Sequence, residues 1–327
     1  MSARLNDPLS PAILIKSIPR AFDDRPLWAQ LNITHKCNLD CAYCTEYDNT
    51  RDHVPFDALT ARIDHCAYLR CMHVDLIGGE PMLHPDYVAL MRHVVSKGMT
   101  TGMTTNGFLL TEDRLKALID AGMGKIQISV DALNPTKEAP KSLKTLRKKI
   151  EMVAKYPIWF RVNTVICEQT VDEVEDVANL CFDLGVTINF SCVHDRGRLV
   201  TTQPERYLEK VRWLKEQKRQ GKAVATPYYV IHYFEEALQG RFIDWTCEGG
   251  NKAFYISPEG NFHFCHHVPS TREFLRVTRE ELPGYRTKKG CESECGVECM
   301  VQTSMPFGNR ALVVLTEARE RFAALLA

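Results

Sequence analysis

The feature that most constrains the fold is a regular alternation of strand-like and helix-like segments over the first two thirds of the chain. Short apolar or alternating runs, typical of strands, occur at 27–34, 72–77, 99–105, 125–131, 159–166 and 186–193. Helical patterns follow them at about 55–70, 84–97, 111–121, 140–155, 171–184 and 203–220. Six βα units in series predict an α/β fold with a parallel sheet and outer helices. Because a complete barrel has eight units, we expect an open, partial (β/α)6 TIM-like barrel.

The strands predict which face of this sheet lines the barrel. On the first strand Ala29, Leu31 and Ile33 alternate with polar residues, and the fourth, fifth and sixth strands repeat the pattern. The apolar face must pack on the helices, so the polar face points inward. A closed barrel fills its interior with apolar side chains. A polar interior therefore predicts a solvated cavity that holds ligands, and the alternative is a sheet with one face in water.

The composition changes after about residue 240, where glycine, cysteine and histidine increase and helical periodicity fades. "SPEGN" at 257–261 predicts a hairpin turn between two short strands. We therefore expect a small cysteine-rich C-terminal extension. The predicted units are an N-terminal segment, the partial barrel, the extension and a C-terminal helix, at 1–26, 27–239, 240–310 and 311–327.

Charge and hydropathy narrow the class of protein. The 41 basic and 41 acidic side chains cancel, so neither a nucleic-acid partner nor an anionic membrane is favoured. No run of 18 apolar residues predicts a membrane span, and the N-terminus has no apolar core of an export signal. These features predict a cytoplasmic protein.

Three of the thirteen cysteines fall within "CNLDCAYC", in the long loop after the first strand. Cys37, Cys41 and Cys44 have C-x3-C-x2-C spacing, and clustered thiols in a cytosolic protein indicate metal binding. A four-iron cluster normally takes four thiolates, so three leave one iron open to a substrate or cofactor. The alternatives are a zinc site with a distant fourth ligand and a chance cluster.

This motif, with aromatic Tyr43 before its last cysteine, resembles the signature of the radical S-adenosylmethionine (radical SAM) enzymes. The resemblance covers about residues 27 to 300. It implies a [4Fe–4S] cluster on the three cysteines and S-adenosylmethionine (SAM) on the open iron. It also implies reductive cleavage of SAM to a 5′-deoxyadenosyl radical, which abstracts a hydrogen atom from a substrate carbon. A flavodoxin- or ferredoxin-like protein would supply the electron.

The same resemblance implies further SAM-contacting residues at later strand ends. "GGEP" after the second strand corresponds to the stretch that receives the SAM amino group, and Ser129 to a SAM-contacting serine. We expect ten residues to bind the cofactor: Tyr43, Gly78, Gly79, Glu80, Thr105, Asn106, Ser129, Asp131, Arg161 and Asn163. Thr104 is expected to line the pocket with its neighbours.

A second set of cysteines lies in the extension. Cys247 and Cys265 frame a C-x12-G-x4-C pattern, which resembles the opening of the SPASM and twitch extensions and implies an auxiliary [4Fe–4S] cluster. Cys291, Cys295 and Cys299 are spaced by four and would share a face if they stood on one helix. Two of these three would complete the ligand set, and a zinc site or a structural role is the alternative. Nearby His263, His266 and His267 are spare ligands or polar surface.

The remaining cysteines and polar residues complete the set of candidates. Cys66, Cys71, Cys181 and Cys192 are expected in the core. Cys167, His194 and Asp195 follow the fifth and sixth strands and are candidate catalytic residues for donating a hydrogen atom or removing a proton.

The substrate is open at this point. A small natural-product, sugar or cofactor intermediate is favoured, because few residues precede the first strand. A ribosomal peptide is the alternative substrate, since leader recognition can be supplied by a separate protein. A non-catalytic zinc or thiol-redox protein is the alternative from another class.

Overall fold

The computed structural model describes residues 24–44 and 47–326, and its central feature is a run of six parallel strands. Their bounds are β1 Trp28–Asn32, β2 His73–Ile77, β3 Thr100–Thr105, β4 Lys125–Ser129, β5 Trp159–Ile166 and β6 Thr187–Cys192. The helices that follow them are α1 Phe56–Tyr68, α2 Tyr87–Ser96, α3 Glu112–Asp120, α4 Leu143–Val153, α5 Val174–Asp183 and α6 Pro204–Arg219. The predicted α/β fold with a partial barrel is confirmed.

Elements that the sequence patterns did not predict follow β6 and α6. The short strands β7 His194–Asp195 and β8 Arg198–Leu199 form a hairpin, and α7 spans Tyr228–Ala237. Seven of the ten residues of α7 are buried, so the helix has no polar stripe along one side. The alternation of polar and apolar residues that predicts a helix is therefore missing from its sequence. None of the described helices is both long and apolar enough to cross a membrane.

The C-terminal extension joins the barrel sheet. Strand β9, Ala253–Ile256, pairs parallel with β1, and β10, Phe262–His263, pairs antiparallel with β9 around the predicted 257–261 turn. The eight-stranded order is β10-β9-β1-β2-β3-β4-β5-β6. The sequence predicted the hairpin but not its place beside β1, because pairing between strands so far apart in the chain leaves no local pattern. The division into units at 239 and 310 stays a prediction, and most of segment 1–26 lies outside the described residues.

The two faces of the sheet differ as expected. Ala29, Leu31 and Ile33 are fully buried under the helices. The inner face carries charges: the Asp75 carboxylate lies 2.6 Å from the Lys125 ammonium, and His73 lies 3.0 Å from the same carboxylate. Such buried charges persist because each faces an opposite charge.

The last two helices correct one expectation. Cys291, Cys295 and Cys299 do not share a helix: a short 3-10 turn spans Glu292–Glu294, Cys295 is extended, and α8 starts only at Glu298. Helix α8 spans Glu298–Gly308, and α9 spans Arg310–Leu326. The segment 290–297 leaves helical geometry because its backbone pairs with the β7–β8 hairpin, where Gly296 N–H donates to the Gly197 carbonyl at 2.8 Å.

Helix α8 closes the amino end of the barrel. The Trp28 indole N–H donates to Thr303 Oγ1 at 2.9 Å, and the Asn189 amide donates to Glu298 Oε2 at 3.4 Å. Because Trp28 and Asn189 lie on the inner face of the sheet, α8 lies against that polar face. The extension therefore covers the amino end of the partial barrel.

Replacing Lys125 with methionine should lower the free energy of unfolding by about 3 kcal/mol, because it leaves a buried carboxylate without its lysine. Burial raises the pKa of Asp75, but Lys125 and His73 outweigh it and hold that pKa well below its usual range. The stabilisation is therefore present above pH ~4, the unfolded pKa, and is lost as the pH falls.

Urea denaturation at pH 7 and at successively lower pH measures this difference. Lys116→Met is the matched control, because Lys116 pairs with Glu112 on the exposed surface, where water screens the charges, and the substitution should change stability little. Equal effects of the two substitutions would contradict a stabilising role for the buried pair.

Candidate active site

A cavity of about 350 Å³ opens at the carboxyl ends of the barrel strands. Its wall contains the three cysteines of the β1–α1 loop, Cys37, Cys41 and Cys44. Strand ends and their loops supply the rest of the lining, which includes Ile77, Gly78, Gly79, Thr104, Thr105, Asn106, Gln127, Ser129 and Asn163. Parallel strands bring their carboxyl ends to one edge, which is why residues so far apart in sequence meet here.

Short hydrogen bonds hold the thiol loop in this position. The Asn106 amide donates to Asn38 Oδ1 at 2.8 Å and lies 3.8 Å from Cys37 Sγ. The Cys37 N–H donates to Asn49 Oδ1 at 2.9 Å. Burial raises the pKa of Cys37 and of Cys41. As free thiols they stay protonated at neutral pH, so a metal that binds them must displace protons.

Asp131 anchors the loop from the far side. Its fully buried carboxylate accepts hydrogen bonds from the Tyr43 hydroxyl and, at 2.9 Å, from the Val165 N–H, and Lys141 Nζ lies 3.0 Å away. Asp131, which is predicted to bind the cofactor, lies behind Tyr43 and Lys141, and both of these partners line the cavity; its role in binding the cofactor stays a prediction. Lys141 is a lining residue that no motif singled out.

The two glycines of "GGEP" pack against the chain itself. A Cβ at Gly79 would stand 2.4 Å from the Lys36 carbonyl oxygen, and a Cβ at Gly78 would stand 2.4 Å from that of Thr34. Gly79 donates its N–H to the Thr34 carbonyl at 2.9 Å, and Glu80 donates to that of Lys36 at 2.8 Å. The glycines thus let the β2 loop bond directly to the backbone that leads into the thiol loop.

Glu80, which is predicted to bind the cofactor in the stretch that receives the SAM amino group, has a fully buried carboxylate beside the cavity. Its role in binding the cofactor stays a prediction. Its oxygens accept hydrogen bonds from Thr105 Oγ1 and the Asn106 N–H, both at 2.8 Å, and from the Met82 N–H at 3.1 Å. Burial raises the pKa of Glu80, and these donors oppose the rise. Glu80 ties the ends of β2 and β3 together.

The predicted cofactor-binding residues of the fourth and fifth strands differ in whether they line the cavity. Ser129 and Asn163 line the cavity. Arg161, two residues nearer the amino end, is absent from the wall and donates to the Gln127 side chain. Arg161 shares the inner face with Asn163, but its guanidinium bonds to Gln127 and lies 5.2 Å from the centroid of the Trp159 ring.

Only one of the three candidate catalytic residues lines the cavity. His194 does so, and its buried Nδ1 has no hydrogen-bond partner among the described residues. The Cys167 thiol is buried elsewhere, 3.1 Å from Thr170 Oγ1, because its strand has already passed the cavity. Asp195 is exposed on the β7–β8 hairpin.

The comparisons identify the family. The sequence model of the radical SAM superfamily matches residues 31–181, from β1 into α5. The chain belongs to the radical SAM superfamily. It is an enzyme whose cofactors are a [4Fe–4S] cluster and SAM. The three thiols in one polar cavity fit these cofactors.

Two relatives and one solved structure illustrate the range of proteins to which this chain is similar. The PqqA peptide cyclase of Bradyrhizobium diazoefficiens is 29% identical over 267 residues, 75% of this chain and 68% of that protein. The GTP 3′,8-cyclase of Clostridium perfringens is 28% identical over 261 residues, which are 73% of this chain and 80% of that protein. Streptococcus suis SuiB, bound to precursor peptide SuiA, shares the fold at a TM-score of 0.63 and 14% identity, over 88% and 73% of the chains.

The radical SAM cavity has a histidine wall that the sequence did not predict, formed by His194, His266 and His267. The ring centroids of His194 and His267 lie 4.4 Å apart, and those of His266 and His267 lie 4.2 Å apart. Burial lowers the pKa of His266 to about 3 and that of His267 to about 4. The wall is therefore uncharged at neutral pH. The only sequence signal was "HH" directly after Cys265.

The five cysteines of the extension interact electrostatically. A hydrogen bond from Cys295 lowers the pKa of Cys291 to about 7, and both thiols lie within electrostatic range of Cys265. Burial raises the pKa of Cys247 to about 12, a rise to which Cys265 adds. Cys299, in the first turn of α8, lies within electrostatic range of Cys265 and also of Glu298 and the barrel cations.

These thiols do not converge on one point. Within residues 24–44 and 47–326, no three His, Cys, Asp or Glu side chains stand close enough to hold a metal ion together. A four-iron cluster binds each thiolate through a separate iron, so its ligands stand farther apart than those of one ion.

Replacing Gly79 with alanine should weaken the join between the β2 loop and the thiol loop, because its Cβ would collide with the carbonyls of Lys36 and His35. We expect destabilisation of about 1–3 kcal/mol and reduced iron content per chain, measured by denaturation and by iron assay after anaerobic reconstitution.

Gly284→Ala is the matched control, because nothing lies within 4 Å of the position that its Cβ would take. It should change neither quantity. Full stability and full iron content in Gly79→Ala would show that the close packing is not required.

Proposed function

We propose that this radical SAM enzyme removes a hydrogen atom from a carbon of a substrate held between the thiol loop and the histidine wall. The observation that carries the proposal is the cavity itself, because the three-cysteine loop, the strand-end residues and the wall line one space.

In this proposal Cys37, Cys41 and Cys44 hold the cluster. The backbone at Gly78 and Gly79 and the side chains of Ser129 and Asn163 hold SAM, supported by their place in the wall. Tyr43, Thr105 and Asn106 belong to the same set. When bound, the cofactors supply a 5′-deoxyadenosyl radical. The protein orients the substrate beside it and limits access of water, which would otherwise quench or divert the reaction.

The substrate that we favour is a small, uncharged polar molecule such as a sugar or another hydroxylated intermediate. Lys141 is the one lysine or arginine in the described cavity wall, and Asp131 already neutralises it. The histidines of the wall are uncharged, so they offer hydrogen bonds without a compensating charge. A highly phosphorylated substrate would require more cations than this wall presents. His194, with its unpartnered Nδ1, is the proposed hydrogen-bonding partner of the substrate.

A peptide substrate is the second candidate. It is favoured by the 29% identity with a PqqA peptide cyclase over three quarters of the chain. The amide groups of a peptide would also form hydrogen bonds with the uncharged side chains of the histidine wall. Crosslinking, epimerisation or oxidation of a ribosomal peptide would all begin with the same hydrogen abstraction.

The extension would hold a second [4Fe–4S] cluster on Cys247, Cys265, Cys291 and Cys295. The hydrogen bond between Cys291 and Cys295, and the electrostatic range that both share with Cys265, support this set. Cys299 also lies within range of Cys265, but its other neighbours are Glu298 and the barrel cations, so we leave it out of the proposed set. Such a cluster supplies a one-electron donor or acceptor, which suits an oxidation. A cytoplasmic flavodoxin- or ferredoxin-like reductant completes the proposal.

Cys41→Ala should abolish formation of 5′-deoxyadenosine from SAM, because it removes a ligand of the first cluster. Cys247→Ala should leave part of that activity, since Cys247 lies in the extension. Chromatography of reduced, anaerobic reactions measures both. Cys181→Ala is the control, because Cys181 is a fully buried thiol on α5 and should retain activity.

Three results would contradict the proposal. They are full SAM cleavage by Cys41→Ala, zinc without iron in the anaerobically purified protein, and no 5′-deoxyadenosine from the wild type. The substrate class is tested with cell extract: stimulation of 5′-deoxyadenosine formation that survives protease treatment supports a small molecule. Stimulation that protease destroys supports the peptide.

A further inference from the structure

Lys141 is a largely buried cation whose role the sequence motifs do not explain. It lies in the loop between β4 and α4, far from the cysteine motif in sequence, and its side chain is only 12% exposed. It lines the radical SAM cavity together with the thiol loop. Burying an ammonium is costly, so its surroundings must compensate the charge.

Two contacts fix the position of this ammonium. Lys141 Nζ lies 3.0 Å from Asp131 Oδ2 and 5.1 Å from the centroid of the Tyr43 ring. Tyr43 stands between Cys41 and Cys44 in the chain, and its hydroxyl donates to the same carboxylate. The cation, the ring and the carboxylate form one unit that supports the half of the thiol loop ending in Cys44.

The charge of Lys141 also acts on the thiols directly. Burial raises the pKa of Cys41, and Lys141 is the largest influence that opposes this rise. Cys44 lies within its electrostatic range as well. A desolvated cation acts on nearby anions more strongly than an exposed one, because little water screens it.

Reduction of an iron–sulfur cluster adds a negative charge, and the net charge nearby helps to set its potential. We infer that Lys141 is a positioning residue that both seats the thiol loop and raises the potential at which its cluster is reduced. This inference rests on the proposed function, since it takes Cys37, Cys41 and Cys44 as the ligands. Asp131 has the opposite sign and should oppose Lys141.

Two substitutions that change the local charge in opposite directions test the inference. Lys141→Met removes a positive charge at nearly constant length, and should make reduction about tenfold less favourable, which is about 59 mV for one electron. Asp131→Asn removes a negative charge while keeping an acceptor oxygen, and should shift the potential upward. Lys141→Arg keeps the positive charge and should leave the reduction potential at its wild-type value. Lys148→Met, on the exposed side of α4, is the control and should shift nothing.

The measurement is an anaerobic redox titration of the reconstituted full-length protein, followed by electron paramagnetic resonance. The signal that changes on addition of SAM reports the cluster of the thiol loop. Iron content and thermal stability of each variant are measured alongside. If Lys141→Met does not fold, the other two variants decide the question: an upward shift in Asp131→Asn together with an unchanged potential in Lys141→Arg supports the inference, and any other pair of results overturns it.

An unchanged potential in both Lys141→Met and Asp131→Asn would overturn the inference. Shifts of the same sign in these two variants would also overturn it, because they would indicate loss of structure rather than of charge. Failure of the proposed function gives a different result: the wild-type protein would show no SAM-sensitive cluster signal, or Cys41→Ala would show the same signal as the wild type.

Discussion

The site depends on one buried carboxylate, that of Asp131. It stands at the end of β4, accepts hydrogen bonds from Tyr43 and the Val165 N–H, and faces Lys141 at 3.0 Å. An ionised carboxylate buried without partners would be strongly unfavourable, so the three groups are drawn to it together. One interaction therefore joins the thiol loop to β4, β5 and the segment before α4, and places the cysteines over the open end of the barrel.

A second constraint comes from backbone packing between the first two strand-end loops. Gly78 and Gly79 lie so close to the backbone at 34–36 that a Cβ would not fit at either position. The carboxylate of Glu80, the next residue, accepts hydrogen bonds from Thr105 Oγ1 and the Asn106 N–H. The radical SAM motifs are thus partly structural. They hold one another in place through these contacts.

The C-terminal extension contributes to the same cavity. By pairing with β1 it brings His266 and His267 opposite β6 and His194, and α8 closes the other end of the barrel. The proposed auxiliary ligand Cys265 directly precedes the wall. Any substrate between the thiol loop and the histidines would therefore lie between the two proposed metal centres.

The sequence alone determined the alternation of strands and helices, the polar inner face and the family, because periodicity and the spacing of Cys37, Cys41 and Cys44 are local properties of the chain. It also placed Ser129 and Asn163 at strand ends that line the cavity. Only the tertiary structure decided that the carboxylates of Asp131 and Glu80 are fully buried, that Arg161 bonds to Gln127, and that Lys141 and the histidine wall line the same cavity as the thiol loop. Those roles depend on which partners satisfy each buried polar group, and the partners come from segments distant in sequence.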